Sequence, residues 1–188
     1  MILASRNPHK LAELARILGP GTPLEPLPVE VELGPETGAT FAENALAKAR
    51  VAAAATGAPA IADDSGIAAA ALGGAPGVCS ARFAGEHASD EENLALLIER
   101  VAAGSALTYV CVIAYAEPAG GEARLFEGRC EGRMAAQRRG SGGFGYDPVF
   151  VPAGADGRTM AQLDAAEKDA ISHRGVALRA FAAWLAGR

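Results

Sequence analysis

Hydrophobic and polar positions along the chain fall into strand-like runs and helical stripes that predict alternating strands and helices. Met1-Ile2-Leu3-Ala4 is a short unbroken apolar run, and Leu11, Leu14, Ile17 and Leu18 then recur at helical spacing on one face. Asn7 stands as N-cap of that helix with Pro8 at its first position, and Gly19-Pro20 ends it. Gly21 to Pro35 is rich in proline and alternates weakly through Val29, Val31 and Leu33, which predicts an irregular connection ending in an edge strand. Thr40 and Glu43 have capping-box spacing for a second helix from about Phe41, and Ser89 and Glu92 repeat the signal before a helix that turns Leu94, Leu97, Ile98 and Val101 inward.

Pro59 to Ala62 reads as a strand that delivers Asp63 and Asp64, with Gly66 permitting a tight exit. Leu107 to Tyr115 alternates and is rich in Val, Ile and Tyr, and Gly120-Gly121 separates it from a second strand-like run, Ala123 to Cys130. The two predict a hairpin and hence a mixed sheet. A short helix is expected near Met160 to Glu167, then a terminal helix with Val176, Leu178, Phe181 and Leu185 as core positions. The class is α/β, as a single domain over 1–188 or two lobes sharing a core.

Half of the residues are hydrophobic, enough for a sizeable core, and no apolar run approaches the roughly 20 residues of a membrane span. The expectation is a soluble, intracellular protein. Cys79, Cys111 and Cys130 are odd in number and lack C-x-x-C spacing, so neither a disulfide framework nor a thiolate zinc site is indicated. A net charge of −5 argues against binding a nucleic-acid polymer but leaves an anionic small molecule open. Of the 17 basic residues only Lys10, Lys48 and Lys168 are lysines, which marks them as places where a compact ammonium is needed.

The candidate chemistry centres on Ala62-Asp63-Asp64-Ser65-Gly66. Two carboxylates at a folded cleft can hold a divalent ion and accept a proton, although Asp-Ser-Gly is also ordinary turn chemistry. Ser5-Arg6-Asn7-Pro8-His9-Lys10 leads from a strand into a helix N-terminus and outlines a phosphate site, with plain helix capping as the alternative. Glu43 already has a capping role, so Glu36 is the better metal ligand, while Asn44 and Lys48 share one helix face. Gly140 to Gly145 contains G-x-G-x-x-G, but a strand follows it rather than a helix, which excludes a dinucleotide fingerprint. Phe144 and Tyr146 in that loop suit stacking on a planar base, or a buried anchor. With three histidines in the chain and no G-x-S-x-G elbow, neither a histidine metal cluster nor a serine hydrolase is indicated.

Taken together, these stretches resemble the inosine/xanthosine triphosphate pyrophosphatase family, also called Ham1-like. The resemblance rests on Ser5-x-Asn7-x-x-Lys10, on Glu36-Thr37-Gly38-x-Thr40-Phe41-x-Glu43-Asn44-Ala45 with Lys48, and on Ala62-Asp63-Asp64-Ser65-Gly66. It continues through Gly73-Gly74-x-Pro76-Gly77 with Ser80-Ala81-Arg82, Gly142-Gly143-Phe144-Gly145-Tyr146-Asp147-Pro148, and Lys168-x-x-Ile171-Ser172-His173-Arg174-Gly175. The ordered set covers nearly the whole chain.

The resemblance implies two α/β lobes around a long mixed β-sheet with flanking helices, an active-site cleft between the lobes, a homodimer and a cytoplasmic location. It implies Mg²⁺-dependent hydrolysis of noncanonical purine triphosphates such as ITP, dITP and XTP to the monophosphate and pyrophosphate. By the same likeness Ser5, Arg6, Asn7, Pro8, His9 and Lys10 bind the triphosphate, with Lys48 and Ser65 also on the substrate; Asp64 is general base and metal ligand. Phe144, Gly145, Tyr146, Asp147, Lys168, His173 and Arg174 hold the nucleotide, chiefly its base. Glu36 is the second metal ligand, with Glu32 or Glu43 as alternatives, and Asp63 supports the turn or a second metal. Serine stands at position 5 where the family often has threonine, and Cys79 at a place often aromatic. Two other readings stay open at this point: a Maf-type pyrophosphatase acting on pyrimidine triphosphates, and a nucleotide-binding regulator without turnover.

Overall fold

A computed structural model describes residues 1–188. Its strands are β1 (Ile2–Leu3), β2 (Glu25–Pro26), β3 (Ala60–Ala69), β4 (Ala106–Ala116), β5 (Ala123–Met134) and β6 (Phe150–Pro152). The helices are α1 (Pro8–Leu18), α2 (Phe41–Thr56), α3 (Asp90–Arg100), α4 (Ala165–Ile171) and α5 (His173–Ala186). The strands form one six-stranded sheet in the order β2-β1-β3-β4-β5-β6. It is mixed, since β1 runs parallel to β2 and β3 while β5 and β6 are antiparallel. No helix is long and apolar enough to cross a membrane.

Two compact units divide the chain: residues 1–64, 111–128 and 174–188 in one, 65–110 and 129–173 in the other. In the first, strand parity separates two apolar layers. Ile2, Ala4, Ala60, Ala62, Val112, Ala114 and Ala116 share a cluster with Ala45, Ala49, Ala52 and Ala53 of α2. Leu3, Ile61, Cys111, Ile113 and Tyr115 instead join Leu14 of α1 and Ala177, Leu178 and Phe181 of α5. Both faces of these strands are therefore covered, which is why β4 is buried almost throughout rather than alternating with solvent. The second unit has its own core of Ile67, Leu94, Leu97, Leu107, Tyr109, Met134, Phe150 and Met160 among others.

Local signals position the helices as expected. Asn7 accepts from the backbone N–H groups of His9 and Lys10 at 2.9 and 3.2 Å, and Thr40–Glu43 and Ser89–Glu92 form complete capping boxes. Elsewhere the structure corrects the sequence reading. The edge strand is Glu25–Pro26, not the Val29–Leu33 segment, because Arg6 claims the carbonyls of Val29 and Val31 at 2.9 and 2.8 Å. The helix expected near Met160 to Glu167 is a 3-10 turn, Met160–Gln162, followed by α4, which Asp164 caps together with Glu167. Ile98 and Val176 lie off the buried stripes of their helices, at 40% and 38% exposure.

The largest correction concerns Gly66. No turn occurs there: β3 runs unbroken through Asp63, Asp64, Ser65 and Gly66 to Ala69. The glycine is required by close approach, since a Cβ would lie 2.5 Å from the Gly77 carbonyl oxygen and 3.0 Å from Ser80 Cβ. Ser80 Oγ accepts from the Ile67 N–H at 2.9 Å and donates to the Gly77 carbonyl at 2.6 Å, fixing the 77–82 turn against the strand. Gly66→Ala is expected to lower unfolding free energy by about 1–3 kcal/mol in urea denaturation through overpacking against backbone. Gly21→Ala, with nothing within 4 Å of its Cβ, serves as the control and should stay within about 0.5 kcal/mol.

Candidate active site

Adjacent residues of a strand point to opposite faces, so β3 separates the two aspartates that the sequence presents as a pair. Asp63 turns to the face of α1 and α5. Its Oδ1 is ion-paired with Lys10, and its Oδ2 accepts from Arg174 Nε and Cys111 Sγ, both at 3.1 Å. Arg174 Nη1 also donates to Glu13 Oε2 at 2.5 Å. All of Asp63, Glu13 and Arg174 are buried. Burial alone would raise the Asp63 pKa, but Arg174 and Lys10 outweigh it and hold the carboxyl well below its usual range. The same environment, burial first and then the Asp63 charge, pushes the Cys111 thiol up and keeps it protonated.

Asp64 turns to α2. Its Oδ1 accepts from Lys48 Nζ at 2.9 Å and its Oδ2 from Asn44 Nδ2 at 3.3 Å. Lys48 also donates to Glu36 Oε1 at 2.6 Å and to the Asp63 carbonyl at 2.8 Å, so one ammonium joins the strand to the 36–38 turn. That turn is held in place because Gly38 N–H donates to Asn44 Oδ1 at 2.7 Å. Burial raises the Asp64 pKa, Lys48 opposes it, and the neighbouring Glu36 charge raises it further, leaving a net upward shift. In Glu36 the order of winners reverses: burial raises its pKa, but the charge and hydrogen bond of Lys48 bring it below the usual value. A cavity of about 280 Å³ opens here, lined by Glu36, Thr37, Asn44 and Lys48 among others.

This donor set is two carboxylates and no imidazole or thiolate, and no group of three His, Cys, Asp or Glu side chains gathers for a metal. Hard oxygen ligands in that number fit a cation that keeps water or phosphate in its remaining positions. Glu43 accepts from Ala39 and Thr40 N–H at 2.7 and 3.2 Å, so it is spent on capping, as its spacing predicts.

In the 5–10 loop, Arg6 is tied to the 29–31 segment, and Asn7 Oδ1 takes the N–H groups of His9 and Lys10. Pro8 has no N–H and Leu11 donates to the Asn7 carbonyl at 3.1 Å. The first turn of α1 therefore offers an anion its dipole and the Lys10 ammonium rather than open backbone donors. Ser5 Oγ accepts from Asn7 N–H at 3.2 Å, and Ser65 is half-buried on β3.

In the other unit a second group assembles around Asp147. Its Oδ2 accepts from Lys168 Nζ at 2.7 Å and from Phe144 N–H at 3.0 Å, and its Oδ1 accepts from Tyr109 Oη at 3.1 Å. The Lys168 ammonium lies 5.2 Å from the Phe144 ring centroid, and the His173 ring is stacked on Tyr109 at 4.5 Å and 6°. Gly143, at φ 71°, cannot carry a side chain, because a Cβ there would collide with the Asp147 carboxylate. Of the two loop aromatics, Tyr146 is the buried anchor, its hydroxyl donating to the Ser80 carbonyl at 2.7 Å, and Phe144 is the one left half-exposed. Gly145, at φ 60°, supplies the turn between them.

Phe144, Asp147, Lys168 and His173 thus come together as expected, whereas Arg174 belongs to the Asp63 network. Glu13 and Tyr109 were not singled out by sequence reasoning. The available signal for Glu13 is its spacing, three residues after Lys10 and four before Ile17, at the edge of the apolar stripe of α1. For Tyr109 it is a phenol hydroxyl in a largely apolar strand, which needs a partner once buried.

Comparison with known proteins gives these groups a context. The Ham1 family model matches residues 1–184. The chain is 52% identical over 189 residues to a dITP/XTP pyrophosphatase of Mycolicibacterium paratuberculosis, covering 95% of this chain and 92% of that one. It is 48% identical over 194 residues to the dITP/XTP pyrophosphatase of Mycobacterium tuberculosis, covering 95% and 91%. The solved structure of a HAM1 protein from Coxiella burnetii superposes with a TM-score of 0.86 at 43% identity, over 100% of this chain and 98% of that one.

Removing the charge of Asp63 leaves Lys10 and Arg174 under-compensated in a buried site. Asp63→Asn is therefore expected to cost about 3–5 kcal/mol of unfolding free energy, read from the midpoint of chemical denaturation.

Proposed function

Because the chain belongs to the Ham1 family and is a nucleoside-triphosphate pyrophosphatase, we propose that it hydrolyses noncanonical purine nucleoside triphosphates, ITP, dITP and XTP, to the monophosphate and pyrophosphate. The observation that carries the chemistry is the placing of Asp64: a buried carboxylate held by Lys48 Nζ at 2.9 Å, with the Glu36 carboxylate on the same ammonium at 2.6 Å. A carboxylate fixed in this way can accept the proton of a water beside it. Asp64 takes the proton of the water that attacks phosphorus. Lys10 and Lys48 supply positive charge where the triphosphate and the leaving pyrophosphate carry negative charge.

Asp64 and Glu36 are the residues that hold Mg²⁺ in this proposal. The ion supplies charge neutralisation and polarisation of phosphate oxygens. What supports it is that the two carboxylates converge on one ammonium, Lys48 Nζ, at 2.6 and 2.9 Å, so that they already enclose a positive charge. The loop from Ser5 to Lys10 is assigned to the phosphates, chiefly through Lys10. Phe144, Asp147, Lys168 and His173 are assigned to the base, and Arg174 to Asp63. Donors facing the base satisfy a 6-oxo group, whereas a 6-amino group would leave donor against donor. A homodimer and a cytoplasmic location belong to the same proposal and rest on the family resemblance. The reported relatives give the pyrimidine-directed Maf alternative no support, and their pyrophosphatase names speak against a regulator without turnover.

The test measures pyrophosphate release from dITP, XTP, dATP and dTTP with and without Mg²⁺. Turnover of dITP and XTP, loss on chelation and little turnover of dATP or dTTP are expected; absence of purine turnover overturns the proposal. Asp64→Asn should reduce kcat by at least about a hundredfold while retaining nucleotide binding. Lys10→Ala should weaken every nucleotide alike, checked by comparing KM across the four substrates.

A further inference from the structure

Tyr109 lies on β4 in the apolar core of the second unit, among Ile67, Leu107, Met134 and Phe150. Phenylalanine would fill the same space, and its ring already packs on Phe150 at 4.4 Å. What a phenylalanine lacks is the hydroxyl, and a buried hydroxyl must find a partner or cost free energy. Here the partner is not a backbone carbonyl but Asp147 Oδ1, at 3.1 Å and fully within the protein. The terminal torsion of an aspartate is broad, so a carboxylate takes its orientation from its donors. Asp147 has donors from three elements: Tyr109 of β4, Lys168 of α4 and the backbone N–H of Phe144 in the glycine loop. Meanwhile the face of the Tyr109 ring is stacked, nearly parallel, on His173. One side chain therefore contacts two of the groups assigned to the base.

We propose that Tyr109 is a positioning residue for base recognition, its hydroxyl fixing the Asp147 carboxylate and its ring carrying the His173 imidazole. The proposal rests on the assignment of Asp147, Lys168 and His173 to the base. Without the hydroxyl, Oδ1 loses its donor and the carboxylate can rotate toward Lys168, disturbing the ammonium and the Phe144 backbone together. The ring stack survives in phenylalanine, so Tyr109→Phe isolates the hydrogen bond. Merely structural damage lowers the active fraction, and hence kcat, without changing KM or the preference among bases.

The experiment compares wild type, Tyr109→Phe, Asp147→Ala and the double variant by steady-state kinetics on dITP and dATP, with thermal unfolding of each. For Tyr109→Phe, KM for dITP should rise about tenfold, kcat should stay within about twofold, and the dITP-to-dATP ratio of kcat/KM should fall about tenfold. In the double variant the loss should match that of Asp147→Ala alone within about twofold, because alanine leaves the Tyr109 hydroxyl no carboxylate to hold. Unchanged KM and preference in Tyr109→Phe, a loss confined to kcat, or additive losses in the double variant would each overturn the positioning role. Wild-type protein inactive on dITP would instead sink the functional reading on which it rests, so the two failures are told apart.

Discussion

A carboxylate taken fully out of water has to be surrounded by charge, and the compensation of Asp63 is the constraint on which the first unit depends. The cost of desolvating an ion is several kcal/mol even after relaxation. Asp63 meets it with Lys10 from α1 and Arg174 from α5, and Arg174 in turn is met by Glu13 of α1. Strand and helices are thereby fixed together by ion pairs that apolar contacts alone would not register. Leu14, Ile61, Cys111 and Phe181 close the same layer around the pairs, lowering the local dielectric and strengthening them.

Strand parity turns this structural device into a chemical one. Because β3 sends Asp63 one way and Asp64 the other, two residues of one type acquire opposite pKa shifts. Asp63, between an arginine and a lysine, is held ionised as a structural anion. Asp64, buried, with Lys48 as its hydrogen-bonded cation, a weaker pull from Lys10 and Glu36 pressing on it, is left the more basic of the two. A turn at Asp63-Asp64, which the adjacent Ser-Gly suggests, would have aimed both carboxylates into one space and given neither a distinct role.

How far this could be read from the chain follows from the range of the interactions. Capping boxes involve residues three apart, and Thr40–Glu43 and Ser89–Glu92 were legible because signal and structure share one turn of helix. The commitment of Glu43 to its cap was legible for the same reason, since Thr40 and Glu43 are three residues apart. In the first unit β1 was legible as a short apolar strand, β2 was misplaced, and the nearly complete burial of β4 was not legible, because a strand covered on both sides looks in one dimension like one covered on a single side. Arg174 with Asp63 and with Glu13 spans 111 and 161 residues, and nothing local announces such pairs. The role of Gly66 was misread because a glycine required by the approach of another segment looks, in one dimension, like a glycine required by a turn.

The scarcity of lysine carries information of a different kind. All three lysines are at most 17% exposed at the side chain, and each is paired with an aspartate: Lys10 with Asp63, Lys48 with Asp64, Lys168 with Asp147. An ammonium in such a place is not waiting in water for a ligand; it has been desolvated and oriented during folding. The entropy and hydration that a surface lysine gives up on binding an anion have here been given up already, at the expense of stability. An anion at any of them would have to share the ammonium with its aspartate rather than strip water from it. Sharing is possible because an ammonium carries three donors on one nitrogen that turns about its C–N bond, where a guanidinium holds its donors in one fixed plane. Lys48 shows such sharing within the protein, its ammonium divided among Glu36, the Asp63 carbonyl and Asp64.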